Sequence, residues 1–134
     1  MISTKGRYAL RVMLDLAEQD PEKFIPLNEI AERQGISKKY LEIILKFLVQ
    51  HNLLKGLRGK GGGYKLTRKP EDYKVGEILE ITDEENLLIV SCLKKDCAPC
   101  ERKKICKTLP MWKDFDELTQ KFFFGITLAD LLEQ

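Results

Sequence analysis

The sequence predicts a mainly α-helical fold with one small β-hairpin. Apolar residues recur at helical spacing in several separate segments, and a glycine-rich stretch lies between two short strand-like runs. The chain has 134 residues, 43% hydrophobic and 33% charged, which fits one domain with its own core. No apolar run approaches the roughly 18 residues of a membrane helix, and no secretory signal is recognisable. We therefore expect a cytoplasmic protein without a membrane partner, in a compartment that keeps thiols reduced.

The first helix is predicted close to the N-terminus. Apolar residues recur along one side from Tyr8 to Ala17. Ser3 or Thr4 can serve as the N-cap, and Asp15 is expected on the polar side. An amphipathic helix of this kind buries one face in a core.

Two further helices are predicted, separated by a short turn. The second can end at Gly35 in the left-handed conformation, and Ser37 can cap the third. In the third helix the apolar stripe consists of Tyr40, Leu41, Ile44, Leu45 and Leu48, whereas Lys38, Lys39, Glu42, Ile43 and Lys46 project elsewhere. This succession is typical of a helix-turn-helix, whose second helix enters the DNA major groove, although it is frequent in any small α-helical protein.

A basic hairpin is predicted directly after the third helix. Residues 53–58 and 64–66 resemble strands, and residues 59–63 form a flexible tip. A nucleotide-binding P-loop is disfavoured, because that motif continues from Gly-Lys-Ser/Thr into a helix rather than a strand. A hairpin in this position is the wing of a winged helix-turn-helix. Arg58 and Lys60 can then reach a minor groove or its phosphates, which the glycines let the backbone approach.

Positive charge is concentrated in the same region. Residues 33–69 contain ten basic residues and one acidic residue, Glu42, a net charge of +9 in 37 residues. Such a density indicates a polyanion binder, with a solvated basic face as the alternative. We assign residues 1–74, of net charge +6, to a DNA-binding domain, and residues 75–134, of net charge −4, to a cysteine loop (92–106) and a C-terminal helix in the same compact unit.

The C-terminal part is predicted to contain a long aromatic helix. A short helix is expected at 75–79, and Pro110 suits the first turn of a helix over about 110–123. That helix has a wide apolar face, made of Met111, Trp112, Phe115, Leu118 and Phe122. It is either a dimerisation helix or a core-packing helix. Thr127 and Asp130 resemble a capping box, so a last helical turn is expected there.

Four cysteines lie within 15 residues, and they are Cys92, Cys97, Cys100 and Cys106. In a reducing compartment this clustering favours a metal site or redox-active thiols over disulfides. Structural zinc typically uses two Cys-x2-Cys pairs, of which only one is present. An iron–sulfur cluster commonly takes its ligands from one close run. The spacing alone leaves both metals open, and the surrounding lysines and arginines favour thiolates.

Motifs along the whole chain resemble, in the same order, those of the bacterial IscR/NsrR/CymR family of winged-helix regulators. These motifs are residues 3–9, 31–37, 40–42, 58–64 and 75–78, followed by the cysteine block and a tryptophan. The resemblance implies a homodimer on a pseudo-palindromic double-stranded DNA operator, with helix 37–49 in the major groove, wing 58–63 in the minor groove and helix 110–123 crossing the dimer. It also implies that three cysteines bind an iron–sulfur cluster in the sensing members, while other members lack the block.

The resemblance assigns three of the four cysteines. Cys92, Cys100 and Cys106 match the family's ligands, and Cys97 is additional. IscR-like members have a histidine where this chain has Leu109, and NsrR-like members have an aspartate where it has Tyr8. We infer that Cys97 supplies the fourth ligand. The alternative is that Cys97 is a spare or resolving thiol and that the fourth ligand is solvent or a small molecule. The cluster type, 2Fe-2S or 4Fe-4S, stays open, with zinc as the alternative metal.

The candidate DNA-contacting residues fall into three groups. They are Ser3, Thr4, Lys5 and Arg7 before and in the first helix, Ser37, Lys38, Lys39, Tyr40, Glu42 and Lys46 in the third helix, and Arg58, Lys60, Gly61, Gly62 and Tyr64 in the wing. Glu42 is the single carboxylate in the basic region 33–69, and a carboxylate near phosphates is unfavourable unless it accepts a hydrogen bond from a cytosine amino group or orients an arginine. The resemblance links this glutamate position to DNA specificity. The alternative role for Glu42 is an ion pair with Lys38 or Lys46.

His51 is expected at the C-terminal end of the third helix.

These expectations combine into one functional hypothesis. We expect a homodimeric DNA-binding transcriptional regulator, acting as a repressor, that senses iron–sulfur cluster status, redox state or nitric oxide. One alternative is a regulator with structural zinc or a thiol switch, and another is a cluster-carrier or electron-transfer protein. An enzyme is not expected, because the sequence shows no nucleophile–histidine arrangement and no acid pair assignable to a pocket.

Overall fold

The computed structural model describes residues 2–87, 90–94 and 100–134, and of residues 84–86 it describes the backbone only. The helices are α1 (Thr4–Ala17), α2 (Leu27–Gln34), α3 (Lys38–Gln50), α4 (Val75–Leu87), α5 (Leu109–Phe124) and α6 (Leu128–Leu132), and the strands are β1 (Leu54–Leu57) and β2 (Gly63–Leu66). Short 3₁₀ turns span Pro70–Asp72 and Ser91–Leu93. The predicted fold class, mainly helical with one hairpin, is confirmed. Among the described helices, none has both the length and the apolarity to cross a bilayer.

The ends of the helices follow from local capping. The Ser3 side chain accepts a hydrogen bond from the N–H of Gly6 at the start of α1, and the Ser37 side chain accepts one from Tyr40 at the start of α3. Gly35 ends α2 with a φ of 64°. These caps confirm the predicted boundaries, as does the capping box formed by Thr127 and Asp130 before α6.

Two groups of buried residues hold the helices together. The larger joins α1, α2, α3 and the hairpin to residues of α4 and α6, and it includes Val12, Ile30, Leu41, Ile78 and Leu128. The smaller consists of Val75, Leu79 and Leu87 of α4, against which Phe123 and Leu131 pack. The fold therefore seats α4 and the C-terminal helices against the domain that carries α3.

Helix α4 is longer than the predicted 75–79 segment. It continues through the acidic run to Leu87, with a non-helical residue at Asp83 (φ −143°, ψ 28°). Asp83 is only 3% exposed, although it belongs to the acidic run of residues 83–85. Its carboxylate accepts a hydrogen bond from the N–H of Ser3 at 2.6 Å, and this contact between residues far apart in sequence explains its burial.

The hairpin is an antiparallel pair with Leu54 opposite Leu66. Its tip contains Gly59 and Gly61 at φ of 91° and 76°, a region in which glycine is favoured because it has no Cβ. A third extended segment was not predicted: Ile25 exchanges backbone hydrogen bonds of 2.8 and 2.9 Å with Tyr64. This bridge anchors the wing to the loop before α2.

Tyr73 connects the base of the hairpin to the start of α4. Its side chain is fully buried. The hydroxyl donates to the carbonyl oxygen of Leu53 at 2.7 Å and accepts from the N–H groups of Thr67 at 2.8 Å and Arg68 at 3.2 Å. One side chain thus satisfies three backbone groups that the turn leaves without ladder partners.

We expect Tyr73→Phe to lower the free energy of unfolding by about 1–3 kcal/mol, because buried backbone groups lose their partner. Urea denaturation followed by circular dichroism measures the change. Tyr8→Phe is the matched control, because it also removes one tyrosine hydroxyl but keeps the ring, which packs edge-on against Tyr40 with centroids 5.8 Å apart. The control should change stability by less than about 0.5 kcal/mol, and equal stabilities for the two variants would contradict the connecting role of Tyr73.

Candidate DNA-binding surface and cysteine segment

Burial of one side of α3 determines which side faces outward. Leu41, Ile44, Leu45 and Leu48 are completely buried. The opposite side is exposed and carries Lys38, Lys39, Glu42, Ile43 and Lys46. This orientation agrees with the predicted stripe. It leaves a basic helix face open to a groove.

Glu42 forms an ion pair with Lys46, one turn further along α3. The shortest distance between a carboxylate oxygen and the ammonium nitrogen is 3.2 Å, and both side chains are more than half exposed. The intrahelical pair that was the alternative for Glu42 is therefore present in the free protein. Exposed pairs of this kind contribute about 0–1 kcal/mol, so the pair can open when a stronger partner approaches.

The N-terminal candidates lie beside α3. The Lys5 ammonium is 3.6 Å from the centre of the Phe47 ring. Arg7 is exposed and donates to Thr4 Oγ1 at 3.3 Å. The Ser3 hydroxyl accepts from the N–H of Gly6, and the Ser3 N–H donates to the carboxylate of Asp83. Ser3 therefore has a structural role as well as its predicted one.

The wing presents its basic residues at the tip. Arg58, Lys60 and Gly61 are exposed. Gly62 is half-buried, and its N–H donates to the carbonyl oxygen of Gly59 at 3.0 Å. Tyr64 is half-buried in β2 and is bound through its backbone to the Ile25 segment. Arg58 and Lys60 are thus placed to contact a ligand, whereas Gly62 and Tyr64 also build the wing.

Two of the ten basic residues of the 33–69 region serve the fold instead of the surface. Arg33 binds the carboxylate of Asp15 with two hydrogen bonds, of 2.8 and 3.0 Å. Arg68 binds Glu77 in the same way, at 2.7 and 3.1 Å. The exposed cations that remain in this region include Lys38, Lys39, Lys55, Arg58, Lys60 and Lys69. The charge available to a polyanion is therefore smaller than the composition suggests.

The position of Asp15 corrects the prediction that it lies on the polar side of α1. Its side chain is 2% exposed and also accepts from Gln34 Nε2 at 2.9 Å. The hydrogen bond to Asp15 is the main reason that the pKa of Arg33 is raised, so the guanidinium stays charged. Sequence periodicity could not reveal this site, because the partners lie 18 and 19 residues away.

Asp83 links α4 to the N-terminus of α1. Besides accepting from Ser3, its carboxylate lies so close to α1 that a Cβ on Gly6 would be 2.9 Å from Asp83 Oδ2. A side chain at position 6 would therefore force this carboxylate to move away from α1. Asp83 also lies nine residues before Cys92. The element that leads into the cysteine segment is thus bonded to the predicted DNA-contacting end of α1.

Three of the four cysteines lie in the described residues, and Cys97 lies outside them. Cys92 is half-buried in a 3₁₀ turn, Cys100 is exposed and Cys106 is half-buried. The Cys106 Sγ atom is 3.2 Å from Thr108 Oγ1. This hydrogen bond is the main cause of the lowered pKa of Cys106, with the Thr108 backbone next, which favours the thiolate that binds metals.

The described residues contain no group of three His, Cys, Asp or Glu side chains arranged to hold a metal ion. The available donors are accessible thiols, and thiolates are the ligands that zinc and iron–sulfur clusters use. The chemistry of the cysteine thiols therefore fits either zinc or an iron–sulfur cluster.

An apolar stripe on α5 faces solvent. Met111, Phe115, Leu118 and Phe122 are between 46% and 65% exposed, and their spacing of four, three and four residues places them on one side of the helix. The core-packing alternative does not account for these four side chains. Trp112 is half-buried.

Comparisons with known proteins agree with this architecture. The sequence profile of the Rrf2 family, described as iron-dependent transcriptional regulators, matches residues 2–134. The transcriptional regulator IscR of Aliivibrio salmonicida is 37% identical over 131 residues, covering 98% of this chain and 76% of that protein. Among solved structures, T. potens IscR is 36% identical with a TM-score of 0.75, covering 99% of this chain and 86% of that one. CymR of B. subtilis, described as the global cysteine regulator, is 30% identical with a TM-score of 0.76, covering 98% and 95%.

The matched profile covers nearly all of the chain, and the relatives are regulators rather than enzymes. The electron-carrier alternative has no support among these relatives. With its winged helix and its basic α3 face, the chain belongs to the Rrf2 family and is a DNA-binding transcriptional regulator.

Proposed function

We propose that the chain acts as a homodimeric repressor that binds a pseudo-palindromic operator and responds to an iron–sulfur cluster held by its cysteine segment. The observation that carries the DNA-binding part is the orientation of α3, whose buried leucines and isoleucine turn its lysines outward. A helix held in this way can enter a major groove. The wing then supplies cations for the adjacent backbone.

Each group of exposed side chains has a separate role on the duplex. Lys38 and Lys39, at the start of α3, and Arg58 and Lys60, in the wing, bind phosphates and fix the register of the protein. Glu42 accepts a hydrogen bond from a cytosine amino group. To do so it leaves its exposed ion pair with Lys46, which costs little free energy.

The apolar stripe of α5 supports dimerisation. A contiguous row of four exposed large apolar side chains is unusual on a monomer. A two-fold axis pairs the same stripe from two copies. The two α3 helices then reach half-sites about one helical turn apart. Because a two-fold axis relates the two helices, the operator is expected to be pseudo-palindromic.

Cys92, Cys97, Cys100 and Cys106 are the proposed ligands of the cluster. When bound, an iron–sulfur cluster supplies one-electron redox chemistry and reactivity towards oxidants and nitric oxide. The chain holds it through thiolates, and the lowered pKa of Cys106 favours this form at neutral pH. Binding within one segment orders that segment relative to α4.

The hydrogen bond between Asp83 and Ser3 supports a route from the cysteine segment to DNA. A change in the segment alters the end of α4, where Asp83 interrupts the helix. Because Asp83 is bonded to the N-terminus of α1, that change is transmitted to Thr4, Lys5 and Arg7. Operator affinity then depends on the state of the cluster, as the linkage of two sites requires.

Anaerobic purification tests the proposed cofactor. We expect visible absorption, with iron and acid-labile sulfide bound to the protein, and an operator affinity that changes on exposure to air or nitric oxide. Iron and sulfide analysis and a DNA-binding titration in both states provide the measurements. A colourless anaerobic protein containing stoichiometric zinc would refute the cluster while leaving DNA binding intact.

Arg58→Ala should weaken DNA binding and reduce the slope of log K against log salt by about one unit, because it removes one phosphate contact. Titrations at several salt concentrations measure the slope. Lys74→Ala is the matched control, since it removes one exposed positive charge outside α3 and the wing. An Arg58→Ala slope equal to that of the wild type would count against a phosphate contact.

A thiol switch is the second candidate for the sensing step, and the lowered pKa of Cys106 favours it. A more populated thiolate reacts faster with oxidants near neutral pH. In this case the anaerobic protein contains no iron, and oxidation by hydrogen peroxide lowers the count of free thiols together with operator affinity. Metal analysis and the thiol count distinguish the two candidates.

A further inference from the structure

Ile43 is an exposed apolar residue on the outward face of α3. It is 55% exposed, although the buried side of the same helix accommodates its other large aliphatic residues. Lys39 lies one turn before it and Lys46 one turn after it, and both are exposed, as is its neighbour Glu42. Ile43 therefore lies within the charged surface proposed to face DNA.

The surroundings of Ile43 restrict what it can contact. Lys39 and Lys46 flank it at one-turn spacing. The two aromatic residues at the same spacing, Tyr40 and Phe47, are half-buried, so α3 itself does not present the large apolar patch that marks a protein interface. In a major groove, the apolar group displayed on a base edge is the C5-methyl group of thymine. Isoleucine suits this contact because its β-branched side chain is restricted at χ1 and loses little freedom when it is covered.

We propose that Ile43 is a specificity-determining residue that packs against a thymine methyl group in each operator half-site. The inference rests on the proposed function, in which α3 enters the major groove. Glu42 is adjacent and reads cytosine through a hydrogen bond, so the two neighbouring residues select pyrimidines by different chemistry. Losing the methyl contact should weaken binding about three- to ten-fold, the range expected for burial of about one methyl group.

In the test, the full-length protein first selects binding sites from a randomised duplex library. The selection is carried out twice, once with protein kept anaerobic and once with protein exposed to air. Each thymine of the selected site is then replaced singly by uracil, which lacks only the methyl group. We expect one position in each half-site at which uracil weakens wild-type binding about three- to ten-fold. For Ile43→Ala the same replacement should change affinity by less than about two-fold.

Two further variants make the result specific. Lys39→Ala, one turn away on the same face, should weaken binding to all sequences and keep the uracil penalty. Ile43→Gln should shift the selected base at that position towards adenine, to which glutamine can form two hydrogen bonds. Circular dichroism verifies that each variant is folded.

Several outcomes would overturn the inference. Wild-type binding that no uracil replacement affects would do so, as would a uracil penalty that persists in Ile43→Ala or a selected site that Ile43→Gln leaves unchanged. Failure of the library to yield any enriched sequence refutes the proposed operator recognition, and the role of Ile43 with it. An enriched sequence without dependence on Ile43 refutes the inference alone.

Discussion

Replacing Cys92, Cys100 or Cys106 singly by serine is expected to abolish the visible absorption of the anaerobically purified protein and to lower its bound iron about ten-fold or more. Changes to residues that merely orient metal ligands already cost about 10- to 100-fold in affinity, and loss of a ligand itself should cost at least as much. Iron analysis and the visible spectrum measure the effect. The result would assign the three thiols that the family resemblance implies.

Cys97→Ser is the informative member of the series. If Cys97 is the fourth ligand, this variant should lose iron as the other three do, whereas a spare thiol leaves iron and spectrum unchanged. Operator affinity should match that of the oxidised wild type only in variants that lose the cluster. Retention of full iron by Cys106→Ser would contradict the proposed ligand set.

Arg33→Ala is expected to lower the free energy of unfolding by about 3 kcal/mol, because it leaves the buried Asp15 carboxylate without its ionic partner. Asp15 keeps one hydrogen bond, from Gln34, and Arg33 is partly exposed, with 37% of its side chain accessible. Water can therefore reach the site, and we place the loss at the low end of the range for buried pairs. Urea denaturation gives the value.

Glu29→Ala is the matched control for Arg33→Ala. Glu29 also approaches Arg33, but at 3.6 Å and with an exposed side chain, so its removal should cost about 0–1 kcal/mol. The double variant Asp15→Leu with Arg33→Met should recover much of the lost stability, because no buried charge remains. Equal losses for Glu29→Ala and Arg33→Ala would contradict the importance of the buried pair.

The predictable features are those that short segments determine. Helix caps join residues about three apart, as Ser37 and Tyr40 do, and the apolar stripe of α3 repeats every three or four residues. The glycines at positive φ in the wing tip all lie within residues 59–63. Local patterns of this kind predicted the helix-turn-helix, the wing and the outward lysines. The fold class that they predicted is confirmed.

The features that could not be predicted join residues far apart in sequence. Polarity placed Asp15 at the surface, but its partners belong to α2. Likewise, Asp83 is acidic but buried, and its partner Ser3 lies 80 residues away. Neither polar residue carries a sign of its partner, because periodicity describes one element and not the contacts between two.

Composition and short-range spacing are enough to predict the helices, the wing, the positive charge of α3 and the four thiols of the candidate metal site. Which charged side chains are paired within the fold depends instead on contacts between elements. The tertiary structure pairs Arg33 and Arg68 with acids of other elements and bonds α4 to the start of α1. Burial of a polar group requires a partner, and packing, rather than local sequence, selects that partner.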